Sequence, residues 1–179
     1  GFGLIEEEGF VPQLRGWLDA RGHDVRVVNG GVSGDTTAGG LARVEWSLTP
    51  EINAMIVALG GNDVLRGIDP ATVRANVEGI LQVAEAAEIE VLLIGMEAPG
   101  NYGPDYKAAF DALYPDLAEA YDSLYLNSFF AGLSDSSDDI TARAALFQPD
   151  GIHPNAVGVA RIVESIGPEV EKLIARAKR

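Results

Sequence analysis

Residues 54–63 read "AMIVALGGND". The first eight positions carry no charge and are apolar on both faces of any extended chain, which predicts a strand buried from two sides and closed by Gly60 and Gly61. A strand without polar alternation belongs in a parallel sheet with helices on its faces. Working outward, "VRVVN" (25–29), "EVLLIGM" (90–96) and "SLYLNSFF" (123–130) read as further strands. Helical patterns fill the gaps. "GFVPQLRGWLDA" (9–20) puts Phe10, Leu14 and Leu18 on one face, and "TTAGGLARVEWSL" (36–48) is helical but weakened at its glycines. "DPATVRANVEGILQVAEAA" (69–87) opens with an Asp69 cap and Pro70 in the first turn. "YKAAFDALYPDLAEAY" (106–121) predicts a helix kinked at Pro115, and closing helices follow His153.

This alternation predicts one α/β domain over residues 1–179, a three-layer α/β/α arrangement around a flavodoxin-like parallel sheet. In such a sheet the loops leaving the carboxyl ends of the strands gather at one edge and form the ligand crevice. The polar signals fall in those loops: "GGVSGDT" (30–36), "GGND" (60–63), "APGNYG" (98–103) and "DGIHP" (150–154). Two longer stretches, "APGNYGPDY" (98–106) and "AGLSDSSDDITARAALFQPDG" (131–151), have the length of functional loops.

Composition narrows the chemistry. Thirteen Lys and Arg stand against 27 Asp and Glu, a formal charge of -14, so the long-range field repels polyanions and nucleic acid is excluded as an expected partner. There is no cysteine, which removes disulfides, thiolate metal sites and a cysteine nucleophile. With two histidines, His23 and His153, a multi-histidine metal site is excluded, and the carboxylates show no clustered ligand motif. The longest apolar runs are far below the roughly 20 residues that a membrane-spanning helix needs. No signal-peptide pattern stands at the start of the sequence, and no obligate protein partner is implied.

"DGIHP" places Asp150 three residues before His153. On one turn the carboxylate can accept from Nδ1, fixing the tautomer and leaving Nε2 free as a base; the alternative is a plain turn capped by Asp150. In "GGND", Asn62 can aim its amide at an oxygen that becomes negative, or simply make an Asn-Asp turn. The backbone N–H of Gly34 in "GVSGDT" can serve as a second donor, or belong to an ordinary strand-to-helix turn. "GVSGD" also matches four of five positions of the G-x-S-x-G nucleophile elbow, which would make Ser33 the attacking group, but the fifth position is Asp35. Neither a dinucleotide fingerprint nor a phosphate-binding P-loop is present.

Taken together and in order, "SGDT", "GGND" and "DGIHP" resemble the SGNH (GDSL) hydrolase family, closest to its bacterial thioesterase I, lysophospholipase L1 and arylesterase branch. "GLAR" (40–43) and "NYGPDY" (101–106) extend the likeness over essentially the whole chain. The resemblance implies hydrolysis of small carboxylic esters or acyl thioesters through an acyl-enzyme, with no metal or organic cofactor. It carries Gly34 and Asn62 over as oxyanion-hole donors and Asp150 with His153 as the acid and base. Relatives in this branch are often periplasmic or secreted, so the resemblance implies the same location here.

The family's serine lies in a G-D-S-L segment at the end of the first strand, and no such block stands in this sequence. "GFGL" at positions 1 to 4 looks like the residues that follow it. The alternation likewise begins with a helix. A central strand brings several apolar side chains worth roughly 1.5 to 3 kcal/mol each when fully buried, together comparable with the about 5 to 15 kcal/mol of a whole domain. The expectation is therefore a preceding strand of roughly ten to fifteen residues ending in the serine. Pro99 and Tyr102, with the loop after Asn62, are expected to line an apolar groove for the acyl chain. Two rival readings stand: a hydrolase using Ser33, and a non-catalytic α/β domain that binds a carbohydrate or acyl ligand.

Overall fold

The computed structural model describes residues 1–136 and 145–178. By its backbone contacts the chain divides into two compact units, one of Gly1–Ser33 with Phe130–Pro168, the other of Gly34–Phe129 with Glu169–Arg179.

The second unit holds the sheet. Three strands, β1 (Ala54–Val57), β2 (Glu90–Ile94) and β3 (Leu124–Leu126), lie in the order β1-β2-β3 and are parallel throughout. Ala54 pairs with Glu90 and Val57 with Leu93, while Leu92 pairs with Leu124 and Ile94 with Leu126. Parallel neighbours need crossover connections, and helices supply them. The unit's helices are α2 (Thr37–Ser47), α3 (Gly61–Leu65), α4 (Pro70–Ala86) and α5 (Pro104–Ala120).

Val91 and Leu93 join a core with Val73, Val77, Ile80 and Leu81 of α4 and with Phe110, Leu113, Tyr114 and Leu117 of α5. The three-and-four spacing on both helices is what aims one stripe of each at the sheet. Leu92 and Ile94, on the opposite face of β2, are also fully buried, as a continuous apolar run requires. α2 lies against α4, and Gly40 faces both Ile80 of α4 and Leu59, whose side chain an added side chain there would strike. One of the glycines that weaken this helix in isolation thus serves its packing.

The first unit contains α1 (Phe10–Ala20) and most of α6 (Ala156–Ala177), a single helix that runs on through Pro168 where closing helices were expected. On α1 the buried stripe is Leu14, Trp17 and Leu18; Phe10 is only half-buried. Trp17 is accommodated because Gly167 presents no side chain to its ring, and Gln13 Nε2 donates to the Ala156 carbonyl at 3.1 Å.

Several expectations need correction. Residues 25–29 form no strand: they run without a partner ladder among the described residues, and Val28 stays half-exposed. Hydrophobic, β-branched residues favour extension, but a strand exists only where a neighbour takes its N–H and C=O groups. The strand read at 54–61 ends at Val57, because Gly60 adopts φ +118 and Gly61 already opens α3. The Asp69 side chain makes no capping hydrogen bond. The long stretch 131–151 begins as a 3-10 turn at Ala131–Ser136, and its residues 137–144 lie outside the described ones.

Candidate active site

In the first unit, residues 147–155 form a closed turn. Phe147 and Pro154 make an antiparallel bridge, Gln148 N–H donates to the His153 carbonyl at 2.7 Å, and Gly151 N–H to the Gln148 carbonyl at 2.9 Å. Gly151 sits at φ +66, which L side chains rarely adopt. Inside this turn the Asp150 carboxylate works twice. Oδ1 accepts from the backbone N–H of Ile152 at 2.9 Å and of His153 at 3.0 Å, and Oδ2 lies 2.8 Å from His153 Nδ1.

The capped turn and the braced imidazole, read from the sequence as alternatives, are therefore the same object. The backbone N–H of His153, then its ring, then the N–H of Ile152 hold the Asp150 carboxyl down at about 2, from an ordinary 3.8. An ionised carboxylate accepts from Nδ1–H, so the imidazole is fixed as the tautomer whose Nε2 carries the lone pair. Nε2 has no hydrogen-bond partner among the described residues. The Phe2 ring covers one face of the imidazole, with centroids 4.4 Å apart and planes at 30°. Gln148 ties this contact in, its Nε2 donating to the Phe2 carbonyl at 2.7 Å and to the Pro154 carbonyl at 3.0 Å. Sequence reasoning missed both residues: Phe2 lies 151 positions from the histidine, and the role of the nearby Gln148 depends on that distant contact.

In the second unit, Asn62 is the second residue of α3, half-buried, and its side-chain amide has no hydrogen-bond partner among the described residues. Its placement comes from below. Tyr114 Oη donates to the Leu59 carbonyl at 2.9 Å, and any side chain at Gly60 would strike that hydroxyl. Burial, then the nearby Asp63, raises the Tyr114 phenol far above its usual range, so it remains a donor. Gly34, at φ +78, is exposed, and its N–H is likewise unpaired among the described residues. Its carbonyl accepts from Arg66 at 3.1 Å.

Ser33 is exposed, and its hydroxyl has no hydrogen-bond partner among the described residues, so no base is in contact with it. Pro99 is exposed. Tyr102 is 40% exposed and lies over Gly67, tilted against Tyr106 with centroids 4.8 Å apart and planes at 37°. Tyr106 in turn donates to the Ile68 carbonyl at 2.8 Å. The loop after Asn62 and the 98–106 loop thus touch, and an aromatic file of Tyr102, Tyr106, Phe110 and Tyr114 runs from their junction to the floor of the Asn62 turn.

Comparison with known proteins finds clear relatives. Residues 1–161 match the GDSL-like Lipase/Acylhydrolase family. The chain is 39% identical to Esterase TesA of Pseudomonas aeruginosa over 173 residues, covering 96% of this chain and 83% of that protein. It is 36% identical to the Thioesterase 1/protease 1/lysophospholipase L1 of Escherichia coli K12 over 149 residues, covering 83% of this chain and 68% of that protein. Among solved structures, the crystal structure of TesA superposes with a TM-score of 0.84 at 37% identity, covering 96% of this chain and 92% of that one.

Proposed function

Because the chain belongs to the GDSL-like lipase/acylhydrolase family, we infer that it works through a serine acyl-enzyme in which His153 is the base, Asp150 its orienting acid, and Gly34 and Asn62 the oxyanion donors. It is a carboxylic ester hydrolase acting on small esters and acyl thioesters. The observation that carries the residue assignment is the Asp150–His153 contact at 2.8 Å, which occupies Nδ1 and leaves Nε2 open. The Asn62 amide and the Gly34 N–H, neither with a hydrogen-bond partner among the described residues, are donors open to an oxyanion.

Residues 1–179 hold no counterpart of the family's serine block, so the nucleophile is assigned to a serine outside them. In the reaction, the serine hydroxyl gives its proton to His153 Nε2 as its oxygen attacks the acyl carbon. The carbonyl oxygen takes up the negative charge and is held by Gly34 N–H, the Asn62 amide and the serine's own N–H. Collapse expels the alcohol or thiol, which leaves with the proton from His153, and a water repeats the cycle to release the acid. Asp150 stays ionised throughout and stabilises the imidazolium. Tyr102 and Pro99 are assigned to the acyl side of the site, Tyr102 on the stronger ground, since it lies where the two loops touch.

Treatment of the full-length protein with a fluorophosphonate probe tests the scheme. Labelling is expected in the wild type, is lost in His153→Ala, and persists in Ser33→Ala with most of the activity. Loss of labelling in Ser33→Ala would move the nucleophile to Ser33, and absence of labelling in the wild type would leave only a binding role.

A further inference from the structure

Asp63 follows Asn62 on α3, is fully buried, and takes no part in the chemistry above. Its carboxylate crosses to the first residue of α2. Oδ2 accepts from the Thr37 backbone N–H at 3.0 Å, and Oδ1 accepts from the Thr37 hydroxyl at 2.6 Å. The hydroxyl has a single proton, and Asn76 Nδ2 donates into its oxygen at 3.1 Å, so that proton is committed to Asp63. Thr37, itself fully buried, stands three residues after Gly34. A second tie runs beside the first: Arg66 donates through its backbone N–H to the Asn62 carbonyl at 3.2 Å and through its guanidinium to the Gly34 carbonyl at 3.1 Å.

Burying a carboxylate is costly unless its oxygens are fully used, so an aspartate kept here must hold something in place. What it joins are the two segments that carry the oxyanion donors. We propose that Asp63, acting through Thr37, is a positioning residue that fixes the spacing between the Asn62 amide and the Gly34 N–H.

The inference rests on the oxyanion assignment given above. It adds that the gap between the donors is set by a buried carboxylate bridge as well as by the course of the backbone. Oxyanion donors act only within a few tenths of an ångström of hydrogen-bond distance from the developing charge, so a loosened bridge weakens the transition state more than the bound ester.

The test is steady-state kinetics on the full-length protein, with kcat expressed per active site by fluorophosphonate titration so that unfolded molecules do not count. Asp63→Asn is expected to lower kcat at least tenfold with KM within about twofold. Thr37→Val should act in the same direction, and Thr37→Ser, which restores the hydroxyl, should recover to within about threefold of the wild type. In an Asn62→Ala background, Asp63→Asn should lower kcat by less than about threefold, because one of the donors it spaces is already gone. If Asp63→Asn does not fold, the Thr37 pair decides by the same criteria.

Wild-type kcat in both Asp63→Asn and Thr37→Val, beside a crippled Asn62→Ala, overturns the positioning role alone. Fully multiplicative losses in the double variant also overturn it and leave Asp63 a stabilising residue. Wild-type kcat in Asn62→Ala overturns the oxyanion assignment, and the positioning role with it.

Discussion

The Asp150 carboxylate accepts from two backbone N–H groups through one oxygen and from the imidazole through the other, so its charge is held by the turn as much as by the histidine. Its folded-state acidity near 2, against an ordinary 3.8, means that protonation is disfavoured in the folded chain. The contribution of this turn to folding is present above the ordinary carboxyl range and is lost as pH falls through about 2. A 13C carboxyl NMR titration should therefore place Asp150 well below the ordinary 3.8. A midpoint near 4 would show that the His153 contact is not held in solution. At Asn62 the expected effect is on turnover: removing one oxyanion donor typically raises the barrier by about 2.7 to 4 kcal/mol. Asn62→Ala should thus lower kcat at least a hundredfold with little change in KM. Both residues were candidates from the sequence because each lies in a short block that the family resemblance singled out. The partners Phe2, Thr37 and Tyr114 were not, since each reaches its site from 26 or more positions away.

Helix α5 shows why an element's role differs from its pattern. Its apolar stripe reads as ordinary core, and Phe110, Leu113 and Leu117 are indeed fully buried. One member of that stripe, Tyr114, spends its hydroxyl on the Leu59 carbonyl and so supports the turn that presents Asn62. Tyr114→Phe keeps the ring and leaves that carbonyl without its donor, which costs about 1 to 3 kcal/mol where the carbonyl is buried. Chemical denaturation should show a loss of that size, with a fall in kcat larger than that of a core variant such as Leu113→Val. Equal kcat in the two would confine Tyr114 to packing. Gly60→Ala, which sets a side chain against the same hydroxyl at φ +118, should be worse than Tyr114→Phe on both measures. The extended segment 25–29 makes the complementary point: a run with strong β character forms no ladder without a neighbour.

Across the whole molecule the dominant electrostatic fact is the charge of -14, which repels itself in the folded state and is screened by salt. Raising NaCl from about 10 mM to about 0.5 M should raise the melting temperature, because the Debye length falls from about 30 Å towards a few ångströms. A temperature unmoved by salt would mean that the surface ion pairs already balance the repulsion. The apolar strands separated by helical stripes were enough to set the class as α/β, whereas the ester-hydrolase chemistry came from the resemblance of the three ordered blocks to a family. Those properties are carried by residue type and by short-range periodicity, which a sequence displays directly. The tertiary structure alone decided that Asp63 reaches Thr37, that Tyr114 props the Asn62 turn, that Phe2 covers His153 and that residues 25–29 find no strand partner among the described residues. Each depends on groups distant in sequence meeting, or failing to meet, a partner within hydrogen-bond or van der Waals range, and spacing along a chain does not encode that distance.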